Sequence, residues 1–126
     1  MGSDRGDTAI QMAILFPFLI VLTIGTVQYA MLSHARNIAM TAAREGVTAG
    51  RAYQSSPGEG AARSRDVLGR IAGSSLNGPT VSTAGSSANT MQVTVTGTAV
   101  SLLPGVSGLH VSQSAAGPRE RWTVAP

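Results

Sequence analysis

From Met12 to Leu32 the chain carries no formal charge, and Gln28 is the only strongly polar interruption. Backbone in hydrocarbon must satisfy its own N–H and C=O groups, which a helix does internally. A bilayer core takes roughly 20 apolar residues in that form, so this run is long enough to span. A secretory signal ends differently, with an apolar core of about 7–15 residues that stops at small residues before a break. Here "SHARNIAMTAAREGVTAG" follows directly, with no turn signal before Gly46 or Gly50. The pattern predicts one continuous helix from about Thr8 to about Gly50, half in lipid and half out. Pro17 lacks a backbone donor, so a local kink or loosened turn is expected there, as a tolerated membrane proline or as a hinge.

The second half of this helix carries a row of small residues: Ala35, Ala39, Ala42, Ala43, Gly46, Ala49 and Gly50. At three- and four-residue spacings they share a face and let another backbone approach closely. Two uses are open: packing against helices of other subunits, or seating the helix on its own globular domain. Arg5 is the only basic residue before the apolar run, whereas Arg36, Arg44 and Arg51 follow it. Counted alone, these arginines place the C-terminal side in the cytoplasm.

Beyond the helix, "QSSPGEGAARSRDVLGRIAGSS" reads as a short helix. Ser56 caps it, Pro57 fits its first position, Glu59 completes a Ser-x-x-Glu box, and Gly73 stops it. Val67, Leu68 and Ile71 fall on one face, and Asp66 can pair with Arg70 four residues on. "TVSTAG" is a short strand. "TMQVTVTGTAV" alternates Met91, Val93 and Val95 with Gln92, Thr94 and Thr96, the signature of a strand with one buried face. "SLLPGVSG" makes a turn with an apolar shoulder, "LHVSQSAAG" returns as a strand, and Trp122 anchors the end. The fold class expected is α+β: a long helix joined to one short helix and a small antiparallel sheet, in the shape of a lollipop.

The residues for chemistry are scarce. There is no cysteine, so disulfides, thiolate metal sites and thiol catalysis are excluded together. His34 and His110 lie on different elements without an acidic cluster. No glycine-rich phosphate loop, carboxylate pairing or nucleophile-elbow sequence is present. All nine basic residues are scattered arginines and aromatics make up 4% of the chain, which is no footprint for nucleic acid. Neither catalysis nor a cofactor or metal is expected.

Three stretches resemble a known family. "DRGDTAIQMAILFPFLIVLTIG" looks like its Arg-Gly, short polar stretch and proline-containing apolar helix. "ARNIAMTAAREGVTAGR" is similar to its Ala-Ala-Arg-Glu-Gly segment, here Ala42, Ala43, Arg44, Glu45 and Gly46, the most specific of the three. "VTVTGTAVSLLPGVSGLHVSQSAAGPRERW" is like its closing strand pair around a Leu-Pro-Gly turn. In these the chain resembles the TadE-like proteins, pilin-related minor components of the bacterial tight-adherence (Flp-type) pilus. The stretch between Gly73 and Thr90 matches nothing in the family's pattern.

The resemblance implies a cytoplasmic leader at 1–6, a long helix at 7–52 with its transmembrane part at about 10–32, and a globular domain at 53–126. It implies a prepilin peptidase cut after Gly6 that leaves Asp7 as the new N-terminus and keeps the helix. The chain would then be single-pass in the cytoplasmic membrane with its domain outside, against the arginine count. Implied partners are membrane lipid before assembly, other pilin-like subunits, the prepilin peptidase and an inner-membrane assembly platform. Helix packing in such an assembly would involve Pro17, Ala35, Ala39, Ala42 and Gly46. The expected function is that of a minor pilin or pseudopilin that helps initiate or cap a pilus. The alternative is a membrane-anchored exported accessory protein that never enters a filament. One departure stands out: pilin-like proteins commonly have glutamate at the fifth mature position, and here that residue is Gln11. An amide accepts a hydrogen bond from a neighbour's ammonium but brings no opposite charge, and it costs less than a carboxylate in a membrane.

Overall fold

The computed structural model describes residues 2–52, 55–103 and 105–119, with side chains from Gly6 onward. Arg121, Trp122 and Pro104 lie outside the described residues. The element order is helix α1 (Gly2–Arg51), helix α2 (Pro57–Ile71), and strands β1 (Asn77–Ser82), β2 (Thr90–Ala99) and β3 (Leu109–Pro118). This is the expected α+β lollipop.

Helix α1 is a single rod of 50 residues that passes through Pro17 unbroken. It starts earlier than the sequence pattern predicts, because the residues before Thr8 continue the same helix. At 1.5 Å per residue its length is about 75 Å. In α2, Ser56 is extended at φ −121° and ψ 162°, and its side chain accepts from the Glu59 N–H at 3.3 Å. That satisfies one of the helix's orphan donors. The helix closes at Ala72, and Gly73 follows at φ +51°.

The strands form an antiparallel meander in the order β1-β2-β3. Met91, Val93, Val95 and Ala99 of β2 face inward and are fully buried, while the polar residues between them are half-buried on the other face. On that outer face Thr94 meets Ser114 of β3 at 2.5 Å, and Thr80 of β1 bonds Thr96, a cross-strand hydroxyl ladder. Strand β1 begins at Asn77, ahead of the expected Thr80, with a register shift between those residues. Pro79 sits inside it, which an edge strand tolerates because one side of its backbone is unpaired.

Helix α1 lies across β2 and β3, and α2 packs beside it with lighter contact to β1 and β2. The core is one cluster containing Ala35, Ile38, Ala39, Ala42, Ala43 and Val47 from α1, Val67 and Leu68 from α2, Leu76 from the turn, and Met91, Val93, Val95 and Val111 from the sheet. The core therefore straddles the division between helix and globular domain. Ile71 does not share the face of Val67 and Leu68: it is 42% exposed, and Ala61, Ser64 and Ala72 fill the stripe instead. Small residues take those positions because α2 runs too close to α1 for larger ones.

Candidate functional site

The candidate functional element is α1, whose lower half is exposed and whose upper half is packed. Its lower half is bare. Ile14 is 70% exposed, Phe18 61% and Val21 68%, and no part of the most apolar window is buried. In water that surface is strongly unfavourable, at about 25 cal/mol per Å². Two threonine hydroxyls in this half are turned inward along the helix: Thr23 donates to the Leu19 carbonyl at 2.8 Å and Thr26 to the Leu22 carbonyl at 2.9 Å. That removes their demand for water and suits a helix in hydrocarbon. Open grooves run along this surface, one lined by Gln11, Ile14, Leu15 and Phe18 and another by Phe18, Val21, Leu22, Gly25, Thr26 and Tyr29. They are gaps between side chains of one helix, shaped for acyl chains or another helix rather than for a small molecule.

The proposed leader boundary lies at the foot of this half. Gly6 and Asp7 are exposed on the helix, and a Cβ added to Gly6 would meet nothing within 4 Å. Gln11 is exposed one turn further on. Pro17 also lies in the bare half, far from the head.

The upper half is occupied. Ala35, Ala39, Ala42 and Ala43 have no exposed surface, Gly46 and Gly50 are buried, and Ala49 is half-buried. Of the two uses open to the small-residue row, packing within the chain is the one displayed. The Ala-Ala-Arg-Glu-Gly segment is the place where α2 crosses. A Cβ on Gly46 would collide with Ser64 Oγ and come 2.9 Å from the Gly60 carbonyl oxygen; one on Gly60 would be 2.7 Å from the Gly46 carbonyl oxygen. Ser64, fully buried, donates to the Ala42 carbonyl at 2.7 Å. Glu45 leaves the crossing at its edge and pairs with Arg63 at 3.3 Å, which also reaches Asp66, and Asp66 pairs with Arg70 at 3.0 Å. Arg44 points to solvent. The segment thus joins rod to head.

Gln28 has a role that sequence reasoning missed. It is only 6% exposed although its neighbours on the apolar run are bare. Its Nε2 donates to the Val100 carbonyl at 2.9 Å, and its Oε1 accepts from the Leu102 N–H at 2.6 Å. Both ends of the amide are therefore used on the backbone of the β2–β3 loop. The signal in the sequence was a single amide in an otherwise apolar run; its partners, more than 70 residues away, had none.

His34 and His110 are exposed on separate elements, and among the described residues no group of three or more His, Cys, Asp or Glu could hold a metal ion.

No curated protein and no solved structure is similar to the chain. The family model for TadE-like proteins matches residues 6–48, from the proposed leader boundary to just past the glycine crossing. Over this helix, both its bare half and its packed half, the chain is similar to the TadE-like proteins.

Proposed function

We propose that the chain is a minor pilin or pseudopilin that helps initiate or cap a tight-adherence pilus. The observation that carries this reading is the division of α1: a bare apolar half of spanning length, continuous with a half locked into a small head. A subunit stored in lipid through such a surface already has what it needs to pack against other helices on extraction. Helix burial in a filament then replaces lipid contact, and neither state leaves the surface in water.

In this reading the prepilin peptidase cuts between Gly6 and Asp7, an exposed bond at the helix foot, and the head lies outside the cytoplasmic membrane. Gln11 brings no charge to a neighbouring terminus, which suits a tip position, where no subunit lies ahead, better than a repeating shaft. Gln11 also supports the second reading, an exported accessory protein that stays anchored.

N-terminal sequencing and intact mass of the native protein, from membranes and from sheared surface material, separate the two. The pilin reading expects a chain beginning at Asp7 in both fractions and concentrated at pilus ends by immunogold labelling. An uncut leader confined to membranes would refute it, and even labelling along the shaft would refute the tip assignment.

A further inference from the structure

The head's exposed large apolar side chains are not scattered. Among the described residues beyond α1 they are Ile71, Leu102, Leu103 and Val106. Helix α2 runs antiparallel to α1, since Gly60 meets Gly46, Ser64 meets Ala42, and Ser75 flanks the groove of Thr26, Val27, Ala30, Met31 and His34. Ile71, in the last turn of α2, therefore lies at the end of the head nearest the bare half. The other three belong to the β2–β3 loop, and Gln28 fixes the level of that loop through Val100 and Leu102. Gln28 is four residues before the end of the apolar run at Leu32, about 6 Å along the axis at 1.5 Å per residue. A loop held there lies beside the membrane segment rather than above it.

The loop is held in shape as well as in place. The Leu103 N–H donates to Ser101 Oγ at 3.2 Å, the Val106 N–H to the Leu103 carbonyl at 3.2 Å, and Gly105 takes φ +81° between them. Only a residue without a Cβ takes that turn position at no steric cost. Leu102, Leu103 and Val106, at 44%, 41% and 39% exposure, are thus presented on a fixed turn. Tyr29, 69% exposed and next to Gln28, has the amphipathic ring favoured at a bilayer interface. Set in lipid, Gln28 would be a costly unpaired amide; the loop satisfies it and carries its own apolar cover to the same depth.

We propose that the β2–β3 loop is a second membrane contact, inserting Leu102, Leu103 and Val106 into the interfacial layer of the leaflet from which the head emerges. The occupant of this surface is lipid, because it is continuous with the bare face of α1. The inference rests on reading α1 as a membrane span.

The chain has no cysteine, so single-cysteine variants label cleanly. Leu103→Cys and Val106→Cys, carrying an environment-sensitive nitrobenzoxadiazole probe, are placed in vesicles of phosphatidylcholine and phosphatidylglycerol as the full chain. Ile20→Cys, read with lipids bearing a nitroxide deep in the acyl chain, reports the span, and Ala84→Cys reports the far end of the head. The expected result is blue-shifted emission at 103 and 106, quenched by lipids bearing a nitroxide near the headgroup, with water-like, unquenched emission at 84. Water-like emission at 103 and 106 with quenching at 20 overturns the loop contact and leaves the span intact. No quenching at 20 removes the span on which the inference rests. Blue-shifted but unquenched emission at 103, growing with protein density, shows a second copy covering the loop and also overturns the proposal.

Discussion

Replacing Gly46 with alanine tests the joint between rod and head. The added methyl would displace Ser64 Oγ, and the Gly60 carbonyl at 2.9 Å and Val93 Cγ2 at 3.2 Å leave it no free side. Overpacking of this kind costs about 1–3 kcal/mol. Moving Ser64 off the Ala42 carbonyl adds about 1 kcal/mol, and alanine's better helix propensity offsets about 1 kcal/mol. The net is a destabilisation of about 1–3 kcal/mol, and each kcal/mol lowers the Tm of so small a head by roughly 4–8 °C. Gly69→Ala provides the contrast: it lies inside α2 with nothing within 4 Å of an added Cβ, so propensity alone should raise stability by about 0.5–1 kcal/mol. Far-UV circular dichroism melts of the full chain in micelles read both, since the bare half stays helical in detergent while the head unfolds. In a Ser64→Ala background, which removes the nearest atom, the Gly46→Ala penalty should shrink, a coupling that a double-mutant cycle isolates. Equal and positive shifts for Gly46→Ala and Gly69→Ala would refute the close crossing.

The remaining perturbations probe the loop tether, the core and the surface. Gln28→Leu removes both bonds to the β2–β3 loop, and the Leu102 amide should then exchange hydrogen markedly faster, while amides of the central strand residues keep their protection. Met91→Ala, at a fully buried side chain packed between Gly50 and Gly60, should cost about 2–5 kcal/mol, read by chemical denaturation of the full chain in micelles. Glu45→Gln, which breaks an ion pair whose side chains are 40% and 46% exposed, should shift stability by less than about 1 kcal/mol, and less still in high salt.

Much of this architecture is readable from local pattern, because its causes are local. The uncharged run defines the rod, Ser56 and Pro57 mark the start of α2, and the alternation of Met91, Val93 and Val95 marks the inner face of β2. What escapes reading depends on residues distant in sequence. The small-residue row left two uses open, and in the fold it is covered by the chain's own head, with Gly46 against Gly60 and Ser64 of α2 and Gly50 against Met91 of β2. Ile71 has the spacing of a core residue, but the closeness of the helices moves the stripe onto smaller neighbours and leaves Ile71 at the edge. Gln28 reads in the sequence only as a polar interruption of the run, because its partners are main-chain atoms, which carry no residue code at all. Gly6, Asp7 and Gln11 take their meaning from family likeness, since an exposed helical stretch has no neighbours to betray its use.

The absence of any break between rod and head has a mechanical consequence. The head interlocks with α1 along much of its upper half, from Ala35 to Gly50, and is tied to it again at Gln28, so it has no pivot of its own. From Gln28 to Arg51 the rod rises about 35 Å. A tilt of about 20°, ordinary for a spanning helix, would swing its upper end sideways by about 12 Å and carry the head with it. Twisting the helix about its axis would likewise turn the head through the same angle. The molecule behaves as a stiff lever, so whatever grips its foot also aims its head.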